Sequence, residues 1–292
     1  MAIRRKEIMD GFFIIDKPKN MTSFDLCNIV KKKLNTKKVG HYGTLDPNAT
    51  GLMVVAVNKA TKLLRLIDED SKEYISTIIF GLDSTSLDMD GKITNDIEMK
   101  VNIDDIKKAL DELLKKEAWI PPMTSAIKVN GKKLYEYQYK NIEVEVMPRD
   151  GRLFSYELKS DLRYIDGHFE IDVLLNVSRG FYIRSLARDL GVLLGGCAIV
   201  KELRRISTGG FSIDKAISVD EIDEAKLISI EEFFDFPKVL VDDFIAKLVK
   251  NGVELDERQT TISGNFYVCD KNGIIAIYEE KEKNKYKPVL IF

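Results

Sequence analysis

The sequence is poor in the features that mark several large classes of protein. It has three cysteines, Cys27, Cys197 and Cys269, an odd number without Cys-x-x-Cys or His-paired spacing, so it indicates neither a disulfide framework nor a zinc site. Glycine and proline, at 18 and 7, are not enriched, and there is no internal repeat or low-complexity tract, which excludes fibrous and disordered classes. Long apolar runs are missing too. The run from Gly11 to Ile15 is broken by Asp16 and Lys17, too soon for a signal peptide or a membrane span. Nor is there an excess of one charge. The 45 Lys and Arg are offset by 47 Asp and Glu, whereas a dedicated nucleic-acid binder is usually clearly basic. Composition alone therefore argues weakly against RNA, and fits a cytoplasmic enzyme.

What is present is a chain of 292 residues, 45% hydrophobic, long enough for one large domain and a small one. Positive charge is unevenly placed, in the runs Arg4 to Lys6, Lys31 to Lys38, Lys128 to Lys140 and Lys201 to Arg205. Any one such run, taken alone, is a solvated face, and only a motif can turn it into a binding surface.

Phe12 to Ile15 reads as a strand. Ser23 to Leu34 carries apolar residues at helical spacing with Thr22 or Ser23 as N-cap. Val39 to Gly51 reads as an irregular loop, Leu52 to Val57 as a buried strand and Lys59 to Ile67 as a helix. A strand is expected at Tyr74 to Phe80 and a helix around Ile106 to Leu114. Asn130-Gly131 predicts a hairpin turn between strands at Ile127 to Val129 and Leu134 to Tyr137. Phe169 to Val177 alternates as a strand, and Tyr182 to Leu194 reads as a helix. The fold class expected is α+β, with a mixed, largely antiparallel sheet flanked by helices. A boundary near Phe236-Pro237 would divide a domain 1–236 from a small β-rich module 237–292, which holds one helix from Asp242 to Lys250 and three strands. A module of about 55 residues is small enough to lean on its neighbour.

The decisive segment is GHYGTLDPNATGLMVVAVNKATKL, Gly40 to Leu63. Asp46 precedes Pro47, and a residue before proline is pushed towards extended geometry, which can hold its side chain out of a loop. A bare Asp-Pro among glycines is ordinarily only a turn. The whole string, however, resembles the GHxGTLDPxATG signature of the TruB pseudouridine synthases, with Asp46 on the catalytic aspartate and His41 on the signature histidine. Further matches follow in the family's order. GFFIIDKPKNMTSFD resembles DKPxGxTSxd, with Asn20 in place of glycine, and Lys72-Glu73-Tyr74 resembles KxY. Gly81 to Gly91 resembles GxxTxTxDxxG, with Ser84 and Ser86 for threonines. PPMTSAIKVNGKKLYEY is similar to PPxySAxKxxGxxlYey, and VSRGFYIRSLARDLG to CSkGTYIRtLaxDLG, with Val177 for cysteine and Phe181 for threonine. KELRRISTGGF resembles LxRtxxGxF.

The resemblance implies a pseudouridine synthase catalytic domain with a PUA-like C-terminal module, acting on uridine 55 in the T arm of tRNA without metal or organic cofactor. It makes Asp46 the catalytic carboxylate, Arg184 its counter-charge and Tyr74 the ring on which the extruded uracil stacks. Tyr182 is expected to hydrogen-bond near Asp46, and Leu203 to line the pocket. His41 is expected to order the loop or the flipped backbone, and Lys17 to position the active-site tyrosine or loop. The region of about 124–150 corresponds to the family's thumb, in which Lys128 to Lys140 interleave with Tyr135, Tyr137 and Tyr139. Guide-dependent relatives lack that insertion. The resemblance therefore favours a stand-alone, monomeric enzyme over a guide-RNA-dependent synthase; a tRNA-folding protein whose catalysis is incidental differs from this reading only in emphasis, since the family is thought to assist tRNA folding as well.

Overall fold

The computed structural model describes residues 10–67, 71–140 and 142–292; the basic run Arg4 to Lys6 lies outside them. The centre is a ten-stranded sheet. Its main path runs Leu153–Leu158, His168–Ser178, Ser71–Phe80, Ala198–Thr208, Thr50–Val57, Gly11–Lys17 and Ile228–Ser229. Along it every pairing is antiparallel except that between Ala198–Thr208 and Thr50–Val57. The mixed, largely antiparallel sheet is thus present.

Alternation in Thr50–Val57 shows why the sheet sits at the heart of the molecule. Met53, Val55 and Val57 face one core, packed by the helices Ser23–Lys33, Ile103–Leu113 and Ile183–Leu193. Leu52, Val54 and Ala56 face a second core on the other side. A strand buried on both faces reads as a continuous apolar run, which is what its sequence shows.

Three local readings are corrected. The parallel pairing with Ala198–Thr208 involves only Thr50 and Gly51, so the far edge of Thr50–Val57 is open and takes Val39–Tyr42 as an antiparallel strand. The irregular loop shrinks to 43–49. The helix after it is a 3-10 helix, Asn58–Leu66, in which Ala60, Leu63 and Leu66 meet the core at three-residue spacing, the period of that helix. At Asn130-Gly131 the turn is present with positive φ at both residues, but only Lys128–Val129 and Lys132–Lys133 pair. Leu134–Tyr139 is then a short helix, because Glu136 accepts from the Lys133 backbone N–H at 3.2 Å and Leu134 turns inward to be buried.

The C-terminal region forms a five-stranded curled sheet beside the helix Asp243–Lys250, which is capped by Asp242 and followed by Gly252 at φ 78°. It shares a core with the large sheet. Phe12 stacks on Phe233 at 3.8 Å, and Tyr267, Ile277 and Leu290 pack into the same cluster. Phe233→Ala should therefore cost about 3–5 kcal/mol of unfolding free energy in denaturant titration. A loss below about 1 kcal/mol would mean that Phe233 does not fill this core.

Candidate active site

The loop 43–49 is held from three sides. Lys17, fully buried at the end of its strand, donates to the carbonyls of Pro18, Met21 and Pro47 at 2.9, 2.7 and 3.1 Å. Burial pushes its ammonium down to about 8, opposed by the negative charge of Asp46, while Arg205 pushes the same way as burial. Ser23 accepts from the Leu45 N–H and donates to the Leu45 carbonyl. Arg205, also fully buried, donates to the carbonyls of Leu52 at 2.7 Å and Gly43 at 3.0 Å. Gly51 is required where the strands meet, since a Cβ there would lie 2.2 Å from the Arg205 carbonyl oxygen.

Asp46 stands on this loop with 40% of its side chain exposed to a cleft of about 380 Å3. Arg184 meets it, Nη2 to Oδ2 at 3.0 Å. The guanidinium is only 6% exposed and occupies the first turn of its helix, where the helix dipole disfavours a cation. It stays because acceptors surround it. The Ser86 carbonyl accepts at 2.9 Å, Thr124 Oγ1 accepts too, and Asp88 Oδ2 lies 3.5 Å away. Asp88 is itself tied down by Ser86 Oγ, and its backbone N–H donates to Ser84 Oγ at 3.1 Å.

Crowding by the cleft walls raises the Asp46 carboxyl above the ordinary carboxylate range. Arg184 pulls it back, Asp88 pushes it up and Lys17 pulls it down. Water still reaches the open side of the carboxylate, which moderates the cost of its charge. Asp88→Asn removes one negative neighbour, so the pH at which Asp46 ionises should fall. If activity needs the ionised form, the acid limb of kcat/KM against pH should move to lower pH in that variant. A limb that moves upward would contradict this charge arrangement.

The cleft brings together Asp46, Tyr74, Tyr182, Arg184 and Leu203. Tyr74 is 7% exposed and lies on Ser71–Phe80, where it pairs with Arg205 across the ladder. Tyr182, just before the helix, faces Ser125, and no hydrogen bond joins it to Asp46; burial raises its phenol. Lys17 and His41 are not in the lining but behind the loop. His41 lies 3.6 Å from Cys27 Sγ and 3.3 Å from Thr44 Oγ1, and burial, then Arg205, lowers its pKa and favours the neutral ring.

The reading of residues from sequence did not single out Asp88, Thr124, Lys72, Arg179 or Arg205. Asp88 carried a visible signal as the aspartate of the GxxTxTxDxxG-like element, and so did Lys72 in KxY, Arg205 in LxRtxxGxF and Arg179 in the CSkGTYIR-like string, but no role was attached to any of them. The departures from the family's motifs have physical reasons. Asn20 has φ 62°, a left-handed conformation that asparagine tolerates among non-glycine residues. Ser84 and Ser86 keep the hydroxyls that hold Asp88. Val177 is fully buried, and Phe181 packs edge-on to Trp119 with centroids 4.7 Å apart.

Comparison with known proteins decides the family. Residues 31–183 match the N-terminal domain of the TruB family pseudouridylate synthases, and residues 184–245 match the C-terminal domain of tRNA pseudouridylate synthase B. The chain belongs to the TruB family. The junction of the two matches falls between Ile183 and Arg184, so the candidate site draws residues from both matched segments. Among TruB relatives, the chain is 38% identical to tRNA pseudouridine synthase B of Aster yellows witches'-broom phytoplasma, covering 97% of this chain and 100% of that one. It is 36% identical to tRNA pseudouridine synthase B of Acholeplasma laidlawii, again over 97% and 100%. A solved H/ACA RNP bound to a substrate RNA containing 2′-deoxyuridine holds a chain of the same fold, with a TM-score of 0.64, 22% identity, and coverage of 97% and 85%.

Proposed function

We propose that this TruB protein converts uridine 55 in the T loop of tRNA to pseudouridine, with Asp46 as the essential carboxylate. Pseudouridylation of tRNA is the activity for which its near-full-length relatives are named. The observation that carries the site assignment is the Asp46–Arg184 pair on the wall of a nucleotide-sized cleft lined by Tyr74.

The reaction breaks the bond from ribose C1′ to N1 of uracil and joins C1′ to C5. C5 loses a proton and N1 gains one, so no redox partner is needed. An ionised Asp46 can add to C1′ as a nucleophile or remove the C2′ proton and start an elimination; both are established roles for a carboxylate. A base inside a folded RNA must be flipped out at a cost of about a few kcal/mol. Stacking on Tyr74 would return roughly 1 to 3 kcal/mol of that. Leu203 closes the pocket beside it. Residues 124–150 act as the thumb that clasps the T arm, and 237–292 as a PUA-like module that reaches the acceptor stem. The protein acts as a cytoplasmic monomer without an obligatory protein partner. No helix among the described residues is long and apolar enough to cross a membrane.

The test is the purified protein on a bare T-arm hairpin labelled with tritium at C5 of the target uridine. Tritium release, with pseudouridine found at that position alone, is the expected result. Release only after a guide RNA is added would replace this reading with a guide-dependent one.

A further inference from the structure

The cleft has two chemically different ends. At one stand Asp46 and Arg184, with Asp88 behind the guanidinium and outside the lining; the charges that act on Asp46 are those of Arg184, Asp88 and Lys17. At the other end stand Lys72 and Arg179, both in the cleft lining and both directed at one aromatic ring. Lys72 Nζ lies 5.4 Å, and Arg179 Cζ 5.9 Å, from the centroid of Tyr42. Arg179 is exposed in the turn before the Ile183–Leu193 helix, with its guanidinium over the Tyr42 ring.

A third cation lies directly behind them. Arg205 uses Nε and Nη2 on the carbonyls of Leu52 and Gly43, while its Nη1 is buried without a hydrogen-bond partner. Gly43, at φ 68°, separates this donor from the cleft: a Cβ there would lie 2.9 Å from Lys72 Nζ and 3.1 Å from Arg205 Nη1. Arg205 Nη1 is an unmet buried donor, which is costly, and Arg179 adds an exposed cation at the cleft, so the arrangement suits an anion. The nearby N-terminus of the Ile183–Leu193 helix adds positive potential of the same sign.

We propose that Lys72 and Arg179, backed by Arg205, form the subsite for a phosphodiester that flanks the target uridine. The proposal rests on the reading of the cleft as a uridine site. It adds a second anchor at the cationic end, so that ribose meets Asp46 while the backbone anion is held by Arg179, whose planar donors suit a phosphate. Such a contact forms in the bound complex and persists through the reaction, so it should act on KM and leave kcat largely alone.

The experiment replaces one phosphate at a time, on the 5′ or the 3′ side of the target uridine in a T-arm hairpin, with a neutral methylphosphonate. With the wild type, one of the two substitutions should raise KM about tenfold, with kcat within about threefold. Arg179→Gln should raise KM about tenfold on normal RNA and show no further penalty on the neutralised RNA, because the two partners of one contact are not additive. Arg179→Lys should recover part of the loss. The slope of log affinity against log salt should fall by about 0.7 to 0.9 in Arg179→Gln, one phosphate's share. Lys72→Gln, checked for an unchanged unfolding midpoint, should repeat the pattern. Additive penalties in Arg179→Gln at both positions would overturn the subsite. The same cycle measured by filter binding needs no turnover. Absence of pseudouridine formation would therefore sink the activity reading while the binding cycle still decided the subsite.

Discussion

Asp46→Asn is expected to lower tritium release from C5-labelled tRNA by at least about a thousandfold while leaving tRNA affinity within about threefold. The amide is nearly isosteric, so the loop should persist: Lys17, Ser23 and Arg205 hold it through the backbone of residues 43–47, not through the Asp46 side chain. What disappears is the negative charge, and with it both possible roles at the ribose. The variant leaves Arg184 facing a neutral group, but Asp88 and the Ser86 carbonyl still satisfy part of the guanidinium. Binding spreads over many contacts and should survive. Comparable release by the variant and the wild type would remove Asp46 from the chemistry.

Arg184→Met should produce the second largest loss, about a hundredfold or more in kcat/KM, with a change in pH dependence that a merely structural defect would not cause. Removing one member of an ion pair leaves the other charge without its partner, and the cost at Asp46 is smaller than for a fully buried pair because its side chain is 40% exposed. Here two carboxylates are affected. Asp46 loses the cation that lowers its pKa, while Asp88 and the surrounding walls continue to raise it. The sign follows: the carboxyl stays protonated to a higher pH, so the acid limb of kcat/KM moves upward. Arg184→Lys keeps a positive charge but cannot reach Asp46, the Ser86 carbonyl and Thr124 together, so its limb should stay near the wild-type position while kcat remains low. An acid limb in Arg184→Met that coincides with the wild type would show that the pair does not set the charge state of Asp46.

Several parts of this architecture could be read along the chain. Thr50–Val57 and His168–Ser178 announce themselves by composition and alternation, because a strand's burial follows directly from a period of two. The Ser23–Lys33 helix carries its own capping residue, Thr22, which accepts from the Asp25 N–H. Val39–Tyr42 could not be recognised in the same way. It is a strand only because a neighbouring edge, left open by a pairing of two residues, accepts it. Leu134–Tyr139 has the aromatic content of a strand, and its helical state depends on where Leu134 is buried.

The site divides along the same line. The sequence by itself determined which carboxylate stands on the loop and which aromatic and basic residues line the same cleft, since those signals lie in short contiguous strings. Only the tertiary structure decided the charge environment. Arg184 comes from a helix 138 positions beyond Asp46 in the chain, and Asp88 reaches the same guanidinium from an unrelated loop. Arg205 buries an unmatched donor behind Gly43. Coulomb interactions depend on separation in space and on the medium between the charges, and a linear chain encodes neither until it has folded.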